Sequence, residues 1–240
     1  MDTGLGSPGG GDETIARTTA RLLERPGDDA AHAERASALL DLGRLEEAER
    51  DAADAVRLDP DEVRYRELLA EIQSRRGEHA DAAAEYARLA RRDPRQVAWT
   101  VAEAAERMEA ADAEKAVEAA RRAVRLDPGS FEAHLALARG LVRVGDVASA
   151  LPAAARASDL RPGDPHARET LADALWLAGH EAAAFGEFLG LARILSGDDC
   201  DRVVAKARSL YRQRAGWFGR LIAVSPIFAV AFRRGWLSVR

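Results

Sequence analysis

The stretch that decides the fold is GRLEEAERDAADAVRLDP, residues 43–60, because its pattern returns twice at intervals of 34 residues. The second copy is GEHADAAAEYARLARRDP (77–94), and the third is ADAEKAVEAARRAVRLDP (111–128). Every copy opens on Gly or Ala, carries alanine at its sixth position and closes on Asp-Pro. Self-similarity at a fixed period determines a whole architecture, so it takes priority over any single element.

Outward from this stretch, three kinds of residue recur in one register along most of the chain. They are the prolines Pro26, Pro60, Pro94, Pro128 and Pro162, the turn residues Gly43, Gly77, Ala111, Gly145 and Gly179, and the alanines Ala48, Ala82, Ala116, Ala150 and Ala184. Each period holds two helical patterns. The first ends near the glycine, which can adopt the left-handed conformation that closes a helix. The second ends before Asp-Pro, because the residue preceding proline is kept out of helical geometry. One such hairpin cannot bury its apolar face alone, so neighbouring hairpins must stack.

A 34-residue helix–turn–helix with this spacing of Gly, Ala and Pro resembles the tetratricopeptide repeat family. The resemblance implies an all-α, right-handed α-solenoid of about five repeats with capping helices and a short helical apolar tail. The predicted repeats are 29–62, 63–96, 97–130, 131–164 and 165–198. A disordered leader (1–12) and an N-terminal half-repeat helix (13–28) precede them, and a capping helix (199–216) and a C-terminal tail (217–240) follow.

The first helices depart from the family pattern. Members usually carry a large aromatic residue at the fourth position of the repeat, where this chain has His32, Arg66, Thr100, His134 and Arg168. Repeat three also has Ala111 for glycine, Glu103 where leucine is usual and Trp99 one place before the expected aromatic. These substitutions predict softer packing of the first helices and a shift in register for the first helix of repeat three.

In the family, the first helices line a concave groove that holds a peptide or helix of a partner protein. By position, the predicted groove residues are Arg64, Glu67, Glu71, Val101, Ala105, Met108, Leu135, Arg139, Val142, Asp173 and Trp176. The middle of this set is apolar and its edges are charged, which favours an amphipathic helix or an apolar segment as partner. The competing interpretation is that Val101, Leu135 and Trp176 only complete the core between helices.

The C-terminal tail is apolar and basic. Its uncharged run, 221–232, has twelve residues, fewer than the roughly 20 that a spanning helix needs. Ser225-Pro226 resembles an N-cap followed by a first-turn proline, which predicts two short helices with a bend between them. The tail residues predicted to dock or to contact a membrane are Trp217, Phe218, Arg220, Leu221, Ile222, Ile227, Phe228, Phe232, Arg233, Arg234 and Trp236.

Three destinations are open to the tail. It can pack against its own repeats, lie in a membrane interface with its arginines near anionic lipid, or dock on a partner. Residues 200–240 contain nine Arg or Lys and one acidic residue, whereas the rest of the chain is acidic. Attraction between these opposite charges favours the first destination, and the acidic body argues against nucleic acid as a partner.

Composition and motifs exclude most other classes of function. Cys200 is the only cysteine, which rules out an intramolecular disulfide and fits a reducing compartment. The N-terminus lacks the basic start and apolar run of a secretory signal. The histidines show no metal-ligand spacing, and neither a Gly-rich phosphate loop nor GxSxG occurs. We therefore predict a non-enzymatic, cytoplasmic scaffold that binds a protein partner and needs no cofactor, metal or small-molecule substrate. The alternative is a peripheral membrane adaptor, held at the inner membrane face by the tail.

Overall fold

The computed structural model describes residues 10–213, and every regular element in that range is an α-helix. The helices are α1 (Gly10–Glu24), α2 (Asp29–Asp41), α3 (Leu45–Leu58), α4 (Val63–Arg75), α5 (His79–Arg92), α6 (Val97–Glu109), α7 (Ala113–Leu126), α8 (Phe131–Val144), α9 (Val147–Leu160), α10 (Pro165–Leu177), α11 (Glu181–Ile194) and α12 (Gly197–Gln213). The first helices of the repeats (α2, α4, α6, α8 and α10) and the second helices (α3, α5, α7, α9 and α11) each begin at intervals of 34 residues. The all-α repeat fold predicted from the sequence is therefore confirmed.

The turn inside each repeat has left-handed backbone at one residue. Gly43 has φ 72°, and the turn is closed by hydrogen bonds from the Gly43 N–H to Leu40 O and from the Arg44 N–H to Leu39 O. This is the usual geometry of a helix that ends on glycine. Ala111 adopts φ 60° at the same place in repeat three. A side chain with Cβ is strained in that conformation, so this turn stores energy that the glycine turns do not.

Two columns of alanine hold the paired helices close together. The eighth residue of each first helix and the fourth residue of each second helix have no exposed surface; these are Ala36, Ala70, Ala104, Ala138, Ala172, Ala48, Ala82, Ala116, Ala150 and Ala184. Alanine places only a methyl group between two helix backbones. Larger side chains at these points would force the helices apart, because packed interiors accept added volume poorly.

The helices fall into two units, one of α1–α8 and one of α9–α12. In the first unit, Leu39, Leu69 and Ile72 belong to a core that joins α2, α3 and α4. In the second unit, Phe188 and Val203 belong to a core that joins α10, α11 and α12. Within each unit a helix packs mainly on the helices before and after it in the chain, as stacked repeats require.

Some predicted boundaries differ from the observed ones. Helix α1 begins at Gly10, so residues 10–12 are helical and do not belong to a disordered leader. The acidic residues Asp12 and Glu13 lie in its first turn, where the positive end of the helix dipole favours them. The predicted half-repeat helix 13–28 corresponds to α1, and the predicted capping helix 199–216 corresponds to α12. Residues 1–9 of the predicted leader and the whole predicted tail, 217–240, lie outside the described residues.

The predicted register shift in repeat three is wrong. Helix α6 has the length of α4 and begins 34 residues after it. Trp99 is the third residue of α6, just as Tyr65 is the third residue of α4. Both side chains reach back to the preceding first helix, so the aromatic ring does not substitute for the missing residue at the fourth position.

Candidate functional site

Hydrogen bonds join successive first helices of the first unit side by side. The Tyr65 hydroxyl of α4 donates to Asp29 Oδ2 of α2 at 2.8 Å. The Trp99 indole of α6 donates to Glu67 Oε1 of α4 at 2.6 Å, and the Ser74 hydroxyl of α4 donates to Glu106 Oε1 of α6 at 2.8 Å. Helices α6 and α8 also touch. The first helices α2, α4, α6 and α8 therefore form one continuous layer.

The Tyr65 contact also sets the chemistry of its hydroxyl group. Burial and the hydrogen bond to the Asp29 carboxylate raise the pKa of Tyr65 to about 12. Both effects oppose the formation of a phenolate next to a carboxylate. The hydroxyl therefore stays protonated at neutral pH and keeps donating to Asp29, which fixes α4 against α2.

Most of the predicted groove residues lie on a single face of this layer. We call the fifth, ninth and twelfth residues of its helices the first-helix stripe, which comprises Glu67, Glu71, Val101, Ala105, Met108, Leu135, Arg139 and Val142. Glu71, Ala105 and Arg139 are exposed, and the other members are half-buried. A partner approaching this face would meet every member of the stripe.

The stripe changes character from one helix to the next. Helix α4 contributes two carboxylates, of which Glu71 also pairs with Arg75 at 2.8 Å. Helix α6 contributes only apolar side chains, and α8 places the guanidinium of Arg139 between two apolar residues. The Glu71–Arg75 pair is half-exposed, so it contributes little to stability and gives way easily to another charged group. Arg64 lies outside the stripe, is 80% exposed and pairs with Glu62.

The two predicted groove residues of the second unit are already engaged. Asp173 accepts a hydrogen bond from Lys206 Nζ of α12 at 2.6 Å, and Trp176 is only 7% exposed. Burial raises the pKa of Asp173 in spite of the neighbouring ammonium group. For Lys206, burial acts to lower the pKa, but the carboxylates of Asp173 and Glu169 outweigh it and raise the pKa. The structure thus brings the predicted residues of α4, α6 and α8 together and leaves Asp173 and Trp176 to internal contacts.

Sequence reasoning missed a set of ion pairs inside the repeats. At the fourth position, where aromatic residues are usual, a basic side chain pairs with a carboxylate 19 residues later on the second helix. The pairs are His32 with Asp51 at 3.0 Å, Arg66 with Glu85 at 2.6 Å and Arg168 with Glu187 at 3.0 Å. The repeated spacing of 19 residues was the signal that could have revealed them.

Repeat three places its polar pair elsewhere. Thr100 stands at the fourth position, and Glu103, at the seventh residue of α6, is only 3% exposed. Glu103 accepts hydrogen bonds from Arg122 Nη2 at 2.5 Å and from Arg107 Nε at 3.1 Å. A carboxylate buried to this degree is tolerated only with such partners.

One set of metal-type ligands occurs among the described residues. Ligand atoms of His32, Asp51 and Asp54 lie within 4.8 Å of one another, beside a cleft of about 360 Å³ between α1, α2 and α3. However, Arg35 holds both carboxylate oxygens of Asp51 at 2.6 Å. The guanidinium already supplies the positive charge that a metal would bring, so the cluster is an ion-pair network within the repeat.

The architecture is that of stacked helix–turn–helix repeats, and the sequence profile described as Tetratricopeptide repeat matches residues 20–97 and 135–199. These ranges cover more than half of the chain, which therefore belongs to the tetratricopeptide repeat family. The unmatched interval includes most of repeat three, where Glu103, Ala111 and Trp99 depart from the family pattern. No curated protein sequence matches the chain.

Solved structures share the fold at low sequence identity. A tetratricopeptide repeat protein from Parabacteroides merdae is 15% identical with a TM-score of 0.67, and the match covers 93% of each chain. YrrB, a TPR protein with an unusual peptide-binding site, is 15% identical with a TM-score of 0.60 over 84% of this chain and 99% of its own. MamA is 16% identical with a TM-score of 0.60 over 79% of this chain and 94% of its own. Within residues 10–213, no helix is both long and apolar enough to cross a lipid bilayer.

Proposed function

We propose that this chain is a non-enzymatic scaffold that binds a segment of another protein on the first-helix stripe. The observation that carries the proposal is the group of partly exposed apolar side chains on two helices in contact, Val101 and Met108 of α6 with Leu135 and Val142 of α8. Apolar side chains that stay accessible together on a soluble protein mark an interaction surface. The peptide-binding site of YrrB, which has the same fold, supports this use of the architecture.

The charges of the stripe define the partner more closely. A segment lying across the layer meets carboxylates on α4, apolar groups on α6 and a guanidinium on α8. The complementary partner is an amphipathic helix or peptide with apolar anchors in its middle, basic residues towards Glu67 and Glu71, and an acidic residue towards Arg139. Because the apolar anchors are desolvated on binding and the charges stay near the rim, the anchors should dominate the affinity.

Pull-down from the source cell with stripe variants tests the proposal. Met108→Glu and Leu135→Glu each place a carboxylate in the apolar centre of the stripe. Leu126→Glu is the matched control, because Leu126 is 45% exposed and lies on the second helix α7. Crosslinked partners are quantified by mass spectrometry, and circular dichroism verifies that helicity is unchanged.

A partner recovered with the unaltered chain and with Leu126→Glu, but reduced at least tenfold with both stripe variants, is the expected result. Equal recovery of every partner with all four proteins rejects the stripe as the binding surface. The other predicted role, a peripheral membrane adaptor, depends on residues 217–236 and is tested below.

A further inference from the structure

Helix α12 packs as the first helix of a sixth repeat. Val203 has no exposed surface and lies in one core with Phe188 of α11. Arg202 Nη1 and Lys206 Nζ both reach Glu169 of α10 at 2.9 Å. These contacts tie α12 to the preceding first helix and to the preceding second helix, as each earlier first helix is tied.

One side of α12 lacks the neighbour that other first helices have. Helix α10 lies between the second helices α9 and α11, and α4 and α6 are likewise flanked on both sides. Among residues 10–213, α12 contacts only one second helix, α11. The eighth residue of every earlier first helix is a fully buried alanine, whereas the eighth residue of α12, Val204, is half-exposed and its neighbour Ala205 is exposed. An apolar side of α12 therefore stands uncovered by the described residues.

The next part of the chain has the position and composition of the missing neighbour. Second helices begin at residues 45, 79, 113, 147 and 181, so the next one is due at residue 215. The apolar segment begins at Trp217 and runs to Phe232. It carries the large apolar side chains that gain most from leaving water.

Charge and length agree with this placement. Helix α12 has 17 residues, about 25 Å at 1.5 Å per residue. A following helix of the 16 residues 217–232, packed antiparallel to α12, is about as long and brings Arg233 and Arg234 level with the start of α12. The exposed acidic residues Asp198, Asp199 and Asp201 lie there.

We propose that residues 217–232 pack against the uncovered side of α12 in the place of a second helix, with Arg233 and Arg234 beside the acidic start of α12. The tail then completes a sixth repeat and closes the core of the second unit. Its apolar side chains are buried within the chain and are not available to a membrane.

Photocrosslinking in the full chain tests this placement directly. A photoreactive phenylalanine replaces Ala205 on the uncovered side of α12, and the same group replaces the exposed Ala148 of α9 as control. Mixed heavy-isotope and ordinary chains distinguish contacts within a chain from contacts between chains. We expect crosslinks from position 205 to residues 217–232 of the same chain, at least fivefold above those from position 148. No excess over the control, or only crosslinks between chains, overturns the proposal.

Two further measurements on the full chain decide against the competing destinations. Val204→Arg should lower the melting temperature by about 4–8 °C, while Ala182→Arg, at an exposed position of α11, should not; equal melting of the two variants contradicts the packing. Flotation uses vesicles of phosphatidylcholine with phosphatidylglycerol. The chain should remain in the soluble fraction, and flotation with the vesicles overturns the proposal in favour of the membrane adaptor.

Discussion

Removing Arg122 should destabilise the protein much more than removing its exposed neighbour Arg125. The Glu103 side chain is only 4% exposed, whereas that of Arg122 is 47% exposed. Arg122→Ala takes one of two charged partners from a buried carboxylate and leaves Arg107 in place. A buried pair broken from one side costs about 3–5 kcal/mol, and because one partner remains we expect about 2 kcal/mol. For a chain of this size, the melting temperature should fall by about 4–8 °C.

Glu103→Leu should behave in the opposite way. It removes the buried charge, restores the residue usual in the family and leaves two arginines that can turn to solvent. Replacing a buried ionic group by an apolar one of similar volume is often neutral or stabilising by about 1–4 kcal/mol. Thermal melting followed by circular dichroism gives all the values, with Arg125→Ala as the exposed control on the same helix, expected within about 0.5 kcal/mol of the unaltered chain. If Arg122→Ala melts with Arg125→Ala, or Glu103→Leu is the least stable of the three, the account of Glu103 as a buried carboxylate held by arginines is refuted.

Two predictions concern single methyl groups. Ala111→Gly should stabilise the protein by about 1 kcal/mol, because glycine adopts positive φ without strain; urea unfolding measures it, and Ala110→Gly, at φ −71°, should destabilise instead. Gly140→Ala should destabilise by about 1–3 kcal/mol, since its Cβ would lie 2.8 Å from Val117 Cγ2, whereas Gly186→Ala has nothing within 4 Å and should be neutral or stabilising. Equal unfolding midpoints for the two alanine variants would show that the close contact at Gly140 is relieved at no cost.

The sequence predicted the architecture because its strongest signals are local. Glycine turns, Asp-Pro ends and alanine contacts each act within one hairpin, so their spacing carries the fold without knowledge of distant contacts. The spacing also defines the first helices on which the stripe lies. Which of their residues stay accessible depends on neighbours, and for that reason Trp176 stood among the groove residues although it is buried.

The polar interior was harder to predict for a physical reason. Charged pairs were sought at helical spacings of three and four residues, but His32–Asp51 and Arg66–Glu85 connect two helices across a turn. The register error at Trp99 has a similar origin. Its indole bonds to Glu67 of the preceding repeat, a contact between repeats that single-repeat comparison does not contain.

The strict interval of 34 residues between helix starts bears on how such a chain can change over evolutionary time. A unit that touches only its neighbours can be duplicated or lost in whole copies with few other adjustments. The length of the partner segment that the chain accommodates can therefore grow or shrink by gene duplication, while the identity of that segment is set by a few side chains on each first helix.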